Sequence, residues 1–326
     1  MLSTIAFREP AQARANLARL EARLPQTLLA LLPAALTQVP DSDAALNNLE
    51  RFTRAGDAEV FQLLVRQPAL LYHVLALFSH SRFLSETLIQ QPELLTWLAR
   101  GRQLDHIKSK EDLREEYARF AATQSETDPS LMLARFKRRE CLRIALKDVL
   151  GIAELVETTL ELSLLADVLL EKALEVAAAE LRLRYGDPEA RDPNGRLVPG
   201  RFAVVGLGKL GGNELNYSSD IDLLFLYAGA GETRGPTRIS NHEYFVRLAQ
   251  RLIQLIAGVT PEGPVFRVDL RLRPQGGEGD LAISLLAALD YYQRRAREWE
   301  LQMLLKARAT AGDAALVREF LHGVEP

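Results

Sequence analysis

Residues 202–227, FAVVGLGKLGGNELNYSSDIDLLFLY, constrain what this chain can fold into more than any other stretch. An apolar run at 202–205 enters a turn carrying Gly206, Gly208, Lys209, Gly211 and Gly212. After a polar tract, Asp220 and Asp222 open a second apolar run at 223–227. A strand over 221–227 sends successive side chains to opposite faces, so Asp220 and Asp222 point the same way with backbones roughly 7 Å apart. No apolar burial is gained by setting two like charges at the mouth of a hydrophobic strand, and their repulsion raises one pKa unless a cation offsets it. The pair therefore reads as a site able to share divalent cations.

The glycines admit a rival reading. Gly206-x-Gly208-x-x-Gly211 matches the dinucleotide fingerprint and follows a strand, as that fingerprint requires. The fingerprint also needs a crossover helix, because parallel strands are joined by about a dozen residues or more. The interval before Ser219 is too short for such a helix and its return loop. The reading favoured here is that the turn amides and Lys209 approach phosphates while the aspartates hold metal. A crossover helix over 211–218 would restore the oxidoreductase alternative.

The 326 residues suffice for two or three compact units, and 48% hydrophobic with 25% charged residues is ordinary for a soluble globular protein. With a net charge of -3, non-specific nucleic-acid binding is not forecast by charge. Cys141 is the single cysteine, which excludes an internal disulfide and suits a reducing compartment. The five histidines show no zinc-ligand spacing. The first twenty residues lack a signal-peptide pattern, and no apolar run reaches the length of a membrane span. The expectation is a cytoplasmic protein without a membrane or nucleic-acid partner.

Residues 1–186 read as an N-terminal helical region. Gln67-Pro68-Ala69-Leu70-Leu71 is echoed by Gln91-Pro92-Glu93-Leu94-Leu95, suggesting two similar helical hairpins with proline at the first helical position. Arg135, Arg139, Arg143 and Lys147 form a basic stripe at i+4 spacing. A solvated face accounts for it more simply than a phosphate site. One long helix is expected over 154–184, ended by Gly186 and Pro188, and 187–200, including the Asp192-Pro193-Asn194-Gly195 turn, reads as a loop.

A catalytic core is expected over 187–280. Ser240 and Glu243 open an amphipathic helix that closes at Gly258. Residues 266–273 alternate strictly, with Phe266, Val268, Leu270 and Leu272 on one face and Arg267, Asp269, Arg271 and Arg273 on the other. A glycine-rich loop follows at 274–279. If Asp269 lies beside Asp220 and Asp222, three carboxylates converge with arginines at their edge, suited to metal-assisted phosphoryl or nucleotidyl transfer. The guanidinium groups of Arg271 and Arg273 offer bidentate phosphate contacts. Residues 281–326 read as the start of a further helical region, with helices over 281–295 and 297–309 and no clear domain ending. Lys306 and Arg308 could reach phosphates, although exposed basic positions on helices are common. The fold class is α+β: mostly helical, with a small mixed β-sheet core flanked by helical regions.

A glycine turn, Asp-x-Asp on a strand and a later strand aspartate resemble the DNA polymerase β-like nucleotidyltransferase superfamily. In that superfamily a glycine or serine usually stands where this chain has Lys209. Gly208-Lys209-x-Gly211-x-x-Glu214-Leu215-x-x-x-Ser219-Asp220-Ile221-Asp222-Leu223, with Val268-Asp269-Leu270-Arg271-Leu272-Arg273-Pro274, looks like the glutamine synthetase adenylyltransferase/deadenylylase family. Residues 135–140, Trp299-Glu300 and Lys306-Ala307-Arg308 resemble it too. The likeness is specific over 201–310 and patchy before.

That family joins two similar nucleotidyltransferase halves. One removes AMP from a tyrosine of glutamine synthetase by phosphorolysis, releasing ADP, and the other adds AMP from ATP. The resemblance implies Mg²⁺ or Mn²⁺ held by Asp220, Asp222 and Asp269. It implies nucleotide or phosphate contacts from Gly206, Gly208, Lys209, Ser219, Arg271 and Arg273. It further implies a glutamine synthetase partner, control by the PII signal protein, and phosphate and adenine nucleotide as ligands. With one double-aspartate motif the chain is one half, and the start at Met1 with the 304–308 variant favours the deadenylylating half. The alternatives are the adenylylating half, a nucleotidyltransferase acting on nucleic acid or a small molecule, and a silent nucleotide- or PII-binding module.

Overall fold

The computed structural model describes residues 5–56, 58–100, 103–192 and 194–325; Pro193 of the expected turn lies outside the described residues. The chain folds into two compact units, Met1–Ile107 with Arg138–Thr158, and Lys108–Lys137 with Thr159–Pro326.

The first unit is helical. In helix Ser42–Ala55 the apolar residues Ala45, Leu46, Leu49 and Phe52 recur at helical spacing and all are buried. The Asp41 carboxylate caps the helix by accepting from the Ala44 amide at 2.9 Å. Phe52 meets Phe78 of helix Ala69–His80 edge to face, ring centres 5.7 Å apart. The sequence echo is a structural one: Pro68 and Pro92 stand one residue before helices Ala69–His80 and Glu93–Ala99. Their carbonyls accept from Leu71 and Leu95, each at 3.0 Å. Proline is thus the cap residue and not the first helical one.

The basic stripe is not a solvated face. Arg139, Arg143 and Lys147 are buried on helix Pro129–Val149. Glu140 accepts from Arg143 at 2.7 Å and from Arg139 at 3.1 Å, Arg139 also lies over the Trp97 ring, and Lys147 donates to the His106 carbonyl at 2.8 Å. Intermingled carboxylate, carbonyl and ring partners let these cations leave water.

The second unit carries the strands β1 (Pro188–Arg191), β2 (Leu197–Pro199), β3 (Arg201–Leu207), β4 (Ile221–Ala228), β5 (Gly231–Thr233), β6 (Val268–Asp269), β7 (Ala282–Ser284) and β8 (Arg308–Gly312). β2, β1 and β5 form a small antiparallel sheet. In the main sheet β3 runs antiparallel to both β4 and β8, while β6 and β7 pair parallel with successive parts of the free edge of β4. Alternation assigns the two faces. Ala203, Val205, Leu207, Leu224 and Leu226 join Leu316 and Phe320 in one core. On the other face Phe202 and Tyr227 stack on Phe245 of helix Asn241–Ala257, ring centres 5.6 and 5.2 Å apart. Burial on both faces is why β4 reads as an almost unbroken apolar run.

β3 and β4 are joined by one helical turn, Gly208–Gly211, and a tract without helix, and they are antiparallel. That excludes the dinucleotide crossover. Within the stretch expected as a loop, Pro188–Arg191 and Leu197–Pro199 pair as β1 and β2. The expected strand at 266–273 shrinks to two residues, because the Asp269 carboxylate accepts from the Arg271 amide at 2.8 Å and turns the chain off the ladder. Residues 281–295 divide into β7 and helix Leu285–Arg294, and 297–309 into helix Glu298–Leu304 and the start of β8. Strands of three to five residues that include Ala and Gly carry little intrinsic signal; pairing with a preformed neighbour decides them. Among the described residues no single helix is long and apolar enough to cross a membrane.

Buried Asn241 donates to the Glu189 carbonyl at 2.8 Å and the Gly229 carbonyl at 2.9 Å, tying the small sheet to the end of β4. Asn241→Ala should cost about 1–3 kcal/mol by leaving both carbonyls unsatisfied. Hydrogen exchange should show it as faster opening of 188–199 with β3 and β4 unchanged.

Candidate active site

Asp222 is the second residue of β4 and lies in parallel register with Asp269, the last residue of β6; Ile221 pairs with Val268 beside them. Asp220 sits just before β4, exposed, at the lip of a cleft of about 360 Å³ shared with Asp269, Arg271 and Arg273. The sequence-based grouping is therefore realised: burial, then the charges of Asp269 and Asp220, push Asp222 above the ordinary carboxylate range, while Arg271 and Lys209 oppose the shift.

Each outer carboxylate has an arginine. Arg271 holds Asp269 through Nη2 at 2.5 Å and Nε at 2.9 Å, and this contact keeps Asp269 below its usual range despite some burial. Arg267, which the sequence reading placed on the right face without assigning it a role, donates from Nε to Asp220 and from Nη2 to the Ser218 carbonyl at 2.8 Å. Its strict alternation with Asp269 was the available signal.

The glycine turn meets this group directly. Gly208 has φ +55°, and a β-carbon there would overlap the Asp222 carboxylate. Lys209 is exposed and within electrostatic reach of Asp222. Gly206 is instead buried against β8, where a β-carbon would come within 2.5 Å of Thr310 Cγ2. Ser219 Oγ donates to Asn216 Oδ1 at 2.7 Å and shapes the approach to Asp220. Arg273 lines the cleft while its Nε and Nη1 donate to the carbonyls of Gly279 at 3.2 Å and Leu270 at 3.3 Å, bracing the loop that follows. That loop is also supported by Tyr291, whose hydroxyl donates to buried Glu300 at 2.6 Å and accepts from the Gln275 amide at 3.4 Å.

Lys306 and Arg308 do not reach toward the cleft from a helix. Lys306 pairs with Glu214 at 2.7 Å, and Arg308 lies on β8 with its guanidinium on Asp167 and the Leu210 carbonyl.

Hard anionic oxygens are the donors that Mg²⁺ or Mn²⁺ requires, and the crowding that raises Asp222 is the kind a divalent cation offsets. Among the described residues no three carboxylate or imidazole groups are already gathered as a metal cage. The donor chemistry suits such an ion and Asp222 shares a register with Asp269, but Asp220 and Asp269 are turned onto Arg267 and Arg271.

Two strand-borne carboxylates, Asp222 and Asp269, with Asp220 just before β4, thus lie beside a glycine turn on a mixed sheet. The family model described as glutamate-ammonia ligase adenylyltransferase matches residues 71–323, and the chain belongs to that family. It is 39% identical over 304 residues, 93% of its length, to the bifunctional glutamine synthetase adenylyltransferase/adenylyl-removing enzyme of Thioalkalivibrio sulfidiphilus. The proteins of the same name from Nitrosococcus oceani and Pseudomonas aeruginosa are 39% and 36% identical over 82% and 91% of this chain. The chain spans only 27–30% of the length of these relatives.

A carboxyl group raised in the folded state binds its proton before the unfolded chain does. Its penalty is fully present above the folded pKa, shrinks as pH falls through that value, and vanishes below the unfolded value of about 3.9. Asp222→Asn should accordingly raise Tm by about 1–3 °C at pH 7–8 in metal-free buffer. Thermal scans against pH should show that gain disappearing toward pH 4.

Proposed function

We propose that this chain removes AMP from an adenylylated tyrosine of glutamine synthetase by metal-dependent phosphorolysis, releasing ADP. The observation that carries the reading is the parallel pairing of Asp222 with Asp269 beside the Gly208 turn, in a chain of this family. The relatives' names give both an adenylyltransferase and an adenylyl-removing activity. The choice of the removing half rests on the Leu304-Leu305-Lys306-Ala307-Arg308 sequence.

In this mechanism an oxygen of inorganic phosphate attacks the AMP phosphorus in line, a new P–O bond forms, and the bond to the tyrosine oxygen breaks. The products are ADP and a tyrosine that regains its proton, a phenol with an ordinary pKa of about 10 and so a fair leaving group. Asp220, Asp222 and Asp269 would hold Mg²⁺ or Mn²⁺, which when bound neutralises charge on the attacking and leaving oxygens. Gly208 lets the turn backbone approach, and Lys209 brings positive charge beside Asp222 to orient phosphate oxygens. Exposed Arg271, released from Asp269, presents a planar fork suited to bidentate phosphate contact. Ser219 orders the approach to Asp220, and Arg273 keeps the neighbouring loop in place. The same geometry serves the reverse transfer, so the substrates presented set the direction. Glutamine synthetase is the protein partner in this reading, and a PII-type protein its regulator.

Incubation with adenylylated glutamine synthetase, Mg²⁺ and phosphate should give phosphate-dependent ADP. AMP transfer from ATP onto the unmodified enzyme, without ADP formation from the adenylylated one, would assign the opposite half. Asp220→Asn should lower metal-dependent turnover by about 10²-fold or more, the scale for losing one electrostatic stabiliser of the transition state, with circular dichroism and Tm unchanged. A rate equal to that of the parent chain would remove Asp220 from the mechanism.

A further inference from the structure

Arg308 makes its contacts on the glycine turn and not at the carboxylates. From β8, Nη2 and Nε donate to the Leu210 carbonyl at 2.9 and 3.2 Å, and Nη1 donates to Asp167 Oδ2 at 2.5 Å. Leu210 belongs to the one-turn helix Gly208–Gly211, the segment that carries Lys209 and touches Asp222 through Gly208. Asp167 projects from helix Leu155–Tyr185 with a side chain only 3% exposed. Lys110 steadies it from a third element, reaching Asp167 Oδ2 at 3.4 Å and the Thr310 carbonyl of β8 at 3.2 Å. The turn is also fitted closely to the strand end: a β-carbon on Gly211 would strike the Lys306 carbonyl.

A buried ion pair is weak as a source of net stability, since desolvation opposes its attraction. What the Asp167–Arg308 pair does achieve is geometric: a planar guanidinium held by a buried carboxylate fixes one carbonyl of the turn from outside. We infer that Arg308, oriented by Asp167, is a positioning residue that holds the glycine turn and Lys209 against Asp222 for an incoming nucleotide phosphate. The inference rests on the nucleotide reading above. The hydrogen bonds of Arg308 go to Leu210, Ala309 and Asp167 and not to Asp220, Asp222 or Asp269.

Two measurements on Arg308→Lys and Asp167→Asn in the 326-residue chain test it. Hydrogen exchange at 208–213 should quicken about tenfold on losing a charge-assisted hydrogen bond to the turn, with β3 and β4 unchanged. Titration with ADP and Mg²⁺ should show Kd weakened by a similar factor in protein that is still folded at the titration temperature, whatever Tm is lost on disturbing the buried pair. Asp167→Asn, which keeps an acceptor for Arg308, should do the same to a smaller extent and decides the matter if Arg308→Lys unfolds. Lowered Tm with unchanged turn exchange and unchanged ADP affinity would overturn the inference, leaving only a structural ion pair. A parent chain that binds no ADP would overturn the nucleotide reading and the role toward phosphate with it. The exchange measurement separates that failure from a failure of the Asp167–Arg308 clamp.

Discussion

Two residue pairs on one edge of β4, Ile221 with Val268 and Asp222 with Asp269, are the constraint on which the site depends. Parallel neighbours in register put their side chains on the same face, so the pairing forces two carboxylates side by side where Asp222 is already half buried. The arrangement is unfavourable taken alone. It persists because β4 is packed on both faces, by the Leu316 and Phe320 core on one side and the Phe245 stack on the other. Apolar burial on the scale of whole strands outweighs one local repulsion.

Charge compensation around that repulsion follows a division of labour. Asp220 is exposed and Asp269 is largely covered, and they are met by the exposed arginines Arg267 and Arg271. Among the described residues Asp222, the inner member, has no such arginine on its carboxylate and is relieved only at longer range by Arg271 and Lys209. Surface pairs of this kind are weak and exchange readily with other anions or cations. The two outer pairs therefore contribute little to holding the sheet together. Arg143 with Glu140 and Arg308 with Asp167 are the contrasting case, buried ion pairs that serve rigidity.

Three glycines of the turn serve three neighbours. Gly206 admits Thr310, Gly208 admits the Asp222 carboxylate, and Gly211 admits the Lys306 carbonyl. The motif is thus a packing solution between β3, β4 and β8. It belongs to the strand-end segment at 306–310 as closely as to the carboxylates. A glycine-rich motif judged only by its spacing resembles a dinucleotide turn; judged by its neighbours it is a tight antiparallel connection.

Local pattern alone already indicated the α+β class, the long helix before the core, strands β3 and β4 with the turn between them, and Asp220 and Asp222 on one face at the strand mouth; that Asp269 joins them needed the β4–β6 pairing. The former are legible because they rest on local quantities: period-2 alternation, apolar runs, glycine spacing and the physical oddity of paired acids at a strand mouth. Only the tertiary structure decided that the alternating stretch after Phe266 pairs for two residues, that 282–284 and 308–312 complete the sheet, and that the basic stripe on the helix Pro129–Val149 is buried. It also decided that Arg267 attends Asp220 while Arg308 turns away to Asp167. Each depends on a partner distant in sequence. Side-chain capture by Asp269 ends a strand whose pattern would continue, and edges already formed by β3 and β4 recruit short segments of weak propensity. A buried guanidinium, likewise, is settled by which carboxylate or carbonyl the fold brings to it, and no periodicity along the chain encodes that meeting.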